Sequence, residues 1–189
     1  LASPVIADPL TLLMCSSIGD GAAAAIVCAR ELAEEIADTR PVIIRACMLR
    51  SGRIFTSGDD GFSTLREMSA ELYQRTGIGP DDIDVAEVHD AMAPIELLVY
   101  ELLGFCEPGE GSQLIREGRT AIGGELPVNT SGGLTSRGHP VGATGLGQIA
   151  ELVWQLRGEA GERQVEGAKV GLAHNQGGLL AGMDSAAYA

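Results

Sequence analysis

Histidine is the residue type in this sequence best suited to proton transfer, and the chain contains only three: His89, His139 and His174. An imidazole exchanges its proton near neutral pH, so it can act as a general acid, a general base or a donor to a developing oxyanion. Each of the three lies at the end of an apolar run or in a glycine-rich turn. A lone histidine is more often structural, but three in such places predict one shared site, with every pair of rings within roughly 12 Å.

His139 lies between a glycine-rich segment and a helix start, within residues 129–148, NTSGGLTSRGHPVGATGLGQ. Pro140 disfavours helical geometry at His139 and suits the first turn of the helix that follows. The imidazole should therefore face the positive end of a helix dipole, which favours a neutral ring able to exchange a proton. A tight structural turn with a lone histidine explains the same loop.

The segment 174–178, HNQGG, follows another apolar run. Exposed backbone N–H groups in such a turn can hold an oxyanion, although a plain hairpin turn fits these residues equally well. Metal binding is the competing function for the three histidines. No two of them have the local spacing of metal ligands, so no metal site is predicted.

The composition is that of an ordinary globular protein of 189 residues, of which 45% are hydrophobic. A formal charge of −13 argues against binding to nucleic acid or to an anionic membrane surface. No apolar run reaches the roughly 18 to 20 residues that cross a bilayer. The cysteines are scattered without metal-ligand spacing, which predicts reduced thiols in the cytoplasm. They are Cys15, Cys28, Cys47 and Cys106.

Strand-like and helix-like patterns alternate along the chain and predict an α/β fold. Buried strands are predicted at residues 22–29, 41–48, 83–88, 126–129, 168–173 and 180–189. Helices are predicted at residues 30–37, 62–76, 94–103 and 143–157, with a surface loop at 106–126. In folds of this kind the ligand site lies outside the carboxyl ends of the strands, where the histidines fall.

Four segments of the sequence, in this order and spacing, resemble the C-terminal half of a thiolase. They are DGAAAA (20–25), EVHDAMAP (87–94), NTSGGLTSRGHPVGATG (129–145) and GLAHNQGG (171–178). The resemblance is closest to the archaeal and sterol-carrier (lipid-transfer-protein) types. It implies a layered α/β/α/β/α fold, coenzyme A thioester substrates and acyl transfer by Claisen condensation or its reverse.

The resemblance also implies roles for individual residues. His139 matches the GHP histidine that activates the nucleophilic cysteine and helps to bind the thioester oxygen. His89 matches the histidine of an HDCF motif, which serves as a second oxyanion element. Asn175 takes the place whose backbone N–H contributes to the other oxyanion hole, and Ser16 resembles the serine that contacts the pantetheine arm of coenzyme A.

Two glycines, Gly138 and Gly177, flank these groups and would let a coenzyme A thioester approach the backbone closely. The expected reaction needs no cofactor beyond the thioester itself. The expected partners are an acyl-CoA substrate, further copies of the chain in a homodimer or tetramer, and a small zinc-ribbon and OB-fold protein. A part in lipid metabolism follows from the same resemblance.

The sequence departs from the family pattern at its cysteines. None of the four lies in the strand-to-helix turn that carries the nucleophile, which belongs to the N-terminal half of thiolases. The acid/base cysteine is replaced by Ala173 in one family pattern and by Ala91 in the other. The resemblance then leaves His89 and His174 as the groups best placed to move the proton.

These features predict the end of a thiolase N-terminal domain at residues 1–40 and a C-terminal domain at 41–189. We expect the 189 residues to be unstable alone and to belong to a longer polypeptide or an obligate complex. Two alternatives to the acyltransferase stay open. One is retro-aldol cleavage of a β-hydroxyacyl-CoA such as a steroid side-chain thioester, and the other is a non-catalytic scaffold that binds acyl-CoA.

Overall fold

The structure is a computed structural model that describes residues 3–36, 40–51, 63–177 and 184–188. The strands are β1 (Val5–Ala7), β2 (Leu10–Thr11), β3 (Cys47–Arg50), β4 (Val85–Glu87), β5 (Gly171–Gly177) and β6 (Asp184–Tyr188). The helices are α1 (Arg30–Ile36), α2 (Ser63–Thr76), α3 (Ala93–Leu102), α4 (Gly111–Arg116), α5 (Gly133–Arg137) and α6 (Thr144–Arg157). The alternation of strands and helices confirms the predicted α/β class.

The main sheet has four strands in the order β3-β6-β5-β4. Strands β4 and β5 are parallel, with Glu87 opposite Ala173, while β6 runs antiparallel to both β5 and β3. Because parallel strands end at the same edge of a sheet, the residues after Glu87 and those after Ala173 emerge side by side. This edge brings two of the three histidine-bearing segments together.

Apolar side chains from α2, α3 and the sheet form the large core. Met68, Leu72, Val88, Leu103 and Leu172 are almost completely buried there. Each such side chain contributes on the order of 1.5–3 kcal/mol by leaving water. Helix α6 covers the opposite face of the sheet, where a Cβ on Gly171 would lie 3.2 Å from Leu152 Cδ2.

Helix α6 buries a largely polar stripe: Thr144, Gln148, Glu151 and Gln155 lie on its inner face with Leu152. Gln148 donates to the backbone oxygen of His174 at 3.0 Å. Gln155 donates to Thr130 Oγ1 at 3.1 Å and accepts from the backbone N–H of Val165 at 2.8 Å. The helix is therefore fixed by specific hydrogen bonds as well as by apolar contact.

Several predicted elements are wrong or shorter than predicted. Residues 22–29 form no strand and are largely exposed, because no strand within the described ranges pairs with them. Of the predicted strand 41–48, only Cys47 and Met48 lie in a strand, which continues to Arg50. Residues 126–129 contribute one parallel bridge, Ala86 with Val128. The predicted surface loop 106–126 contains helix α4, and α5 was not predicted.

The last two strands also differ from the prediction. Strand β5 begins at Gly171 and continues through His174, Asn175 and Gln176 to Gly177. The predicted turn at residues 174–178 is therefore wrong over 174–177, because β6 pairs along this whole stretch and extends the strand. The predicted strand 180–189 is confirmed over Asp184–Tyr188, while residues 180–183 and 189 lie outside the described residues.

Candidate active site

His89 and Asp90 lie directly beyond β4, at the edge of the sheet. The side chain of Asn129 holds this edge by accepting from the backbone N–H of Val88 at 2.8 Å, and the backbone N–H of Asn129 donates to Ala86 O at 2.8 Å. Asn129 adopts φ of 53°, a left-handed conformation that Asn tolerates better than most residues. The glycine-rich loop thus starts in register with the end of β4.

The loop then carries His139 back to the same place. Gly138 has φ of 91° and is buried, and the backbone N–H of His139 donates to Ser17 O at 2.8 Å. A Cβ on Gly138 would lie 3.5 Å from Ser17 Oγ. The positive φ therefore explains the glycine at 138, while the Ser17 contact fixes the backbone of the histidine.

His139 and Thr144 form a hydrogen bond that sets the tautomer of the ring. His139 Nδ1 lies 2.7 Å from Thr144 Oγ1, and that hydroxyl also lies 3.1 Å from Pro140 O, to which it donates. A hydroxyl has one proton, so Thr144 accepts from Nδ1–H. The Nε2 atom of a neutral His139 then carries a free lone pair, as a general base requires.

His89 has the same arrangement with a different partner. Its Nδ1 lies 2.7 Å from the side-chain oxygen of Asn175, which can only accept. His89 therefore donates from Nδ1, and its Nε2 also carries a lone pair. Helix α6 approaches Asn175 closely, since a Cβ on Gly145 would lie 2.9 Å from Asn175 Nδ2.

The rings of His89 and His139 meet edge to face, with centroids 5.0 Å apart. Burial lowers the pKa of His89, and the hydrogen bond to Asn175 opposes this shift. Burial likewise lowers the pKa of His139, with Asp90 raising it and Arg137 lowering it. Both rings are therefore neutral near pH 7 and poised to take up one proton between them.

His174 is brought to the same edge but points elsewhere. Its side chain is completely buried, and neither ring nitrogen has a hydrogen-bond partner within the described part of the chain. Because strand residues alternate between faces, His174 lies on the side of Leu172 and the large core, opposite Asn175. Burial, with a smaller effect of His89, lowers its pKa to about 3. A ring so enclosed cannot exchange protons with a substrate in this conformation.

The other predicted site residues fall at or near the same edge. Ser16 donates its backbone N–H to Ala91 O at 2.9 Å, so it lies beside the residues that follow His89. Gly177 ends β5 in an exposed position. Their predicted contacts with coenzyme A stay predictions, as does the oxyanion role of the Asn175 backbone. The structure adds a side-chain role for Asn175.

Three residues that help to form the site were missed at the sequence level. Thr144 orients His139, and Asp90 accepts from the backbone N–H of Leu134 at 2.6 Å. Glu87 is fully buried in β4 and accepts from Ser131 Oγ at 2.6 Å. Burial raises the pKa of Glu87 to about 7, against the lowering effect of the Ser131 hydrogen bonds. A carboxylate inside the apolar run VAEV was the available signal, because an isolated buried charge is costly.

The described ranges contain no group of three or more His, Cys, Asp or Glu residues that could hold a metal ion. None of the helices within those ranges is long and apolar enough to cross a membrane.

Comparison with known proteins identifies the family. The family described as "Thiolase C-terminal domain-like" matches residues 49–188. The chain belongs to the thiolase family. Its fold is therefore thiolase-like, as the four sequence segments predicted, and the paired His89 and His139 stand in the segments that carried the resemblance. The predicted boundary at residues 40 and 41 stays a prediction.

Curated relatives of this thiolase chain include an acetyl-CoA acetyltransferase of Methanothermobacter thermautotrophicus, 48% identical over 93% of the chain and 46% of the relative. Sterol carrier protein 2 of Rattus norvegicus is 45% identical over 94% of the chain and 34% of the relative. The benzoylsuccinyl-CoA thiolase subunit BbsB of Thauera aromatica is 40% identical over 93% of the chain and 46% of the relative. The thiolase chain thus spans less than half the length of these relatives.

Among solved structures, this thiolase chain is similar to one described as "Ltp2-ChsH2(DUF35) aldolase". The TM-score is 0.80 at 26% identity, and the match covers 99% of the chain and 49% of the solved one. The chain is therefore similar to proteins whose names state different reactions.

Proposed function

We propose that this chain forms part of a thiolase-type acyltransferase that joins or cleaves 3-ketoacyl-CoA thioesters. The observation that carries the proposal is the pairing of His139 with His89, each of which has Nδ1 hydrogen-bonded to a partner, so that the neutral ring carries its lone pair on Nε2. Claisen chemistry needs a base that forms the thiolate and a second group that moves a proton at the substrate carbon.

In the proposed first half-reaction, Nε2 of His139 takes the proton of a cysteine thiol supplied by the complete protein. The thiolate attacks the thioester carbon, and charge develops on the carbonyl oxygen. The protonated imidazole then donates to that oxygen, as preorganised oxyanion donors do, for about 3 kcal/mol each. When this adduct collapses, the bond to the coenzyme A sulfur breaks, the proton of the imidazolium passes to that sulfur, and coenzyme A leaves as a thiol. No cofactor besides the coenzyme A thioester is needed.

His89 is proposed to replace the acid/base cysteine of the family. Both positions at which the family resemblance implies that cysteine are alanines, Ala91 and Ala173, which carry no exchangeable proton. His89 is next to His139 and has a free Nε2 in its neutral form. His174, the other candidate of the sequence analysis, is enclosed in the core and is a structural residue in this proposal.

The proposed assembly contains more than this chain. A homodimer or tetramer, a cytoplasmic location and a zinc-ribbon and OB-fold partner remain proposals. The structural relative, by its name "Ltp2-ChsH2(DUF35) aldolase", pairs two proteins, which supports a protein partner here. Purification of the complete protein, followed by identification of the proteins that co-purify with it, would test whether a zinc-ribbon and OB-fold protein is bound.

Acylation of the complete protein by acetyl-CoA tests the proposed function. Mass spectrometry should show one acetyl group on a cysteine in the strand-to-helix turn that precedes this chain. His139→Ala should slow acylation by about 10² or more, as removal of a general base does. Arg116→Ala, exposed on α4, is the control and should acylate normally. Full-rate acylation of the His139 variant would show that His139 is not the activator.

A retro-aldolase is the second candidate, and the alanines at both cysteine positions favour it. Cleavage of a β-hydroxyacyl-CoA needs a base for the hydroxyl and a stabilised enolate, but no acylated cysteine. Chromatography of products from a 3-ketoacyl-CoA and a β-hydroxyacyl-CoA separates the two reactions. Binding of acyl-CoA by calorimetry without either turnover would instead indicate a scaffold.

A further inference from the structure

Asp90 is a buried carboxylate that ties two segments of the site together. Only 1% of its surface is exposed. Its Oδ1 accepts from the backbone N–H of Leu134 at 2.6 Å, and its Oδ2 accepts from the N–H and hydroxyl of Thr135 at 3.2 and 2.8 Å. The residue after His89 thus holds the first turn of α5, whose amide groups have no partners within the helix.

The packing around this carboxylate leaves no space for another side chain. A Cβ on Gly133 would lie 2.4 Å from Asp90 Oδ2, and Gly133 has φ of 61°. One turn later Gly138 N–H donates to Leu134 O at 3.1 Å, and His139 follows directly. Asp90 therefore fixes the start of α5, and the five residues of this helix connect that point to the backbone of His139.

Asp90 also supplies the negative charge that both rings experience. Burial lowers the pKa of His139, Asp90 raises it, and Arg137 lowers it. For His89, burial and His139 lower the pKa, while the hydrogen bond to Asn175 and the charge of Asp90 raise it. Asp90 is thus a carboxylate whose charge raises the pKa of both rings.

We propose that Asp90 is a positioning residue for the proposed reaction: it fixes the loop that carries His139 and stabilises the imidazolium that the reaction forms. In that step the S–H bond of the nucleophile breaks, its electron pair stays on sulfur, and the proton bonds to Nε2 of His139. The positive charge forms on the partly desolvated ring of His139, and the buried carboxylate stabilises it without moving. The proposal rests on the proposed function for the identity of the proton donor alone.

Asp90→Asn in the complete protein removes the charge and keeps the size of the side chain, but it replaces one accepting oxygen with an amide nitrogen that cannot accept from Leu134 or Thr135. Asp84→Asn is the matched control, because Asp84 Oδ2 accepts from the backbone N–H groups of Lys169 and Val170 at 2.7 and 2.8 Å at the other end of β4. Histidine ring titration by NMR, assigned with His139→Ala, should show the pKa of His139 falling by about 1 in Asp90→Asn. Asp84→Asn should leave that pKa unchanged.

The acylation rate gives a second readout that a purely structural role would not move. In Asp90→Asn the rise of kcat/KM with pH should shift to lower pH together with the His139 titration, and the plateau should fall about tenfold. An unchanged His139 pKa, or a lower rate with an unshifted profile, overturns the proposal. A shifted titration in a protein that never acylates refutes the proposed function and leaves the electrostatic role of Asp90 intact.

Wild-type protein decides the question if Asp90→Asn does not fold. The carboxyl carbon resonance of Asp90 should then move with the titration of His139, whereas that of Asp84 should not. No response at Asp90 would show that the two groups are uncoupled and overturn the proposal.

Discussion

The rings of His89 and His139 stand edge to face, with planes at 85° and centroids 5.0 Å apart. Each ring is held from behind through Nδ1, by Asn175 or by Thr144. At this separation two imidazolium ions would repel each other, so the pair takes up its first proton far more readily than its second. A pair that cycles between neutral and singly protonated forms is suited to proton relay.

Thr144 should matter through the tautomer of His139. Thr144→Val keeps the shape of the side chain and removes the hydroxyl that accepts from Nδ1–H, so His139 no longer has a fixed free Nε2. We expect acylation to slow about 10-fold to 100-fold, the value of one hydrogen bond to a group that becomes charged. Thr144→Ser restores the hydroxyl and should keep most of the rate. Equal rates for the two variants would refute the tautomer argument.

Substitution of Gly145 by alanine should lower activity without lowering stability. A Cβ at this position would lie 2.9 Å from Asn175 Nδ2, whereas a Cβ on Gly142 meets nothing within 4 Å. Gly145→Ala should displace Asn175 and lower turnover about tenfold through His89, although alanine favours the helix by roughly 1 kcal/mol. Turnover and thermal unfolding of this variant and of Gly142→Ala provide the check. Normal turnover in Gly145→Ala would show that the Asn175 contact is dispensable.

His174 should make the protein sensitive to acid. Its folded pKa is about 3, whereas an unfolded histidine titrates near 6.5. In this window the unfolded chain binds a proton that the folded chain does not. Stability should therefore fall as pH is lowered from about 6.5 towards 3, by up to about 1.4 kcal/mol per pH unit, and be unaffected above 6.5.

The replacement His174→Leu tests that expectation. Leucine fills a similar volume without two unpartnered nitrogens. Unfolding should then take up one proton less between pH 4 and 6, so the slope of the free energy of unfolding against pH should be smaller. Denaturant unfolding of the complete protein at several pH values measures the slope. An unchanged slope would mean that His174 finds a partner for its proton in the folded state.

Residues 1–189 expressed alone should be poorly folded. Ile18 is 95% exposed, Ile26 96% and Val27 75%, an apolar surface larger than isolated side chains normally present. We expect strong binding of a hydrophobic dye and a broad thermal transition, in contrast to the complete protein. A cooperative melt together with monomeric elution would contradict this expectation.

Helices with a strong apolar period were predictable from sequence, as α2, α3 and α6 show. Residues 22–29 were predicted as a strand because alanine, isoleucine and valine make an apolar run. A strand also needs neighbours, and local composition does not report whether a partner strand is present. The same non-local dependence explains β5, which continues past Ala173 only because β6 pairs with it.

The site was predictable where it depended on strand ends, and less so where it depended on side-chain direction. His89 follows a parallel strand, and His139 lies in a loop that returns to the same edge of the sheet, so their proximity could be predicted. His174 and Asn175 are neighbours in sequence, and the predicted turn does not determine in which direction either side chain points. Once the residues lie in a strand, one side chain faces the core and the other faces His89. The alternation of side chains along β5 therefore places His174 in the core and Asn175 at the site.

The polar stripe of α6 has a consequence for how the helix can move. A helix packed only through leucine and valine can slide or rotate with little change in contact area, because apolar contacts are not directional. In α6 a slip by one turn would detach Gln148 from His174 O, Glu151 from Arg163 and Gln155 from Thr130 together, leaving buried polar groups without partners. Thr144 is the first residue of this helix. The hydrogen bonds that prevent α6 from sliding along its axis therefore also fix the position of the Thr144 hydroxyl relative to His139.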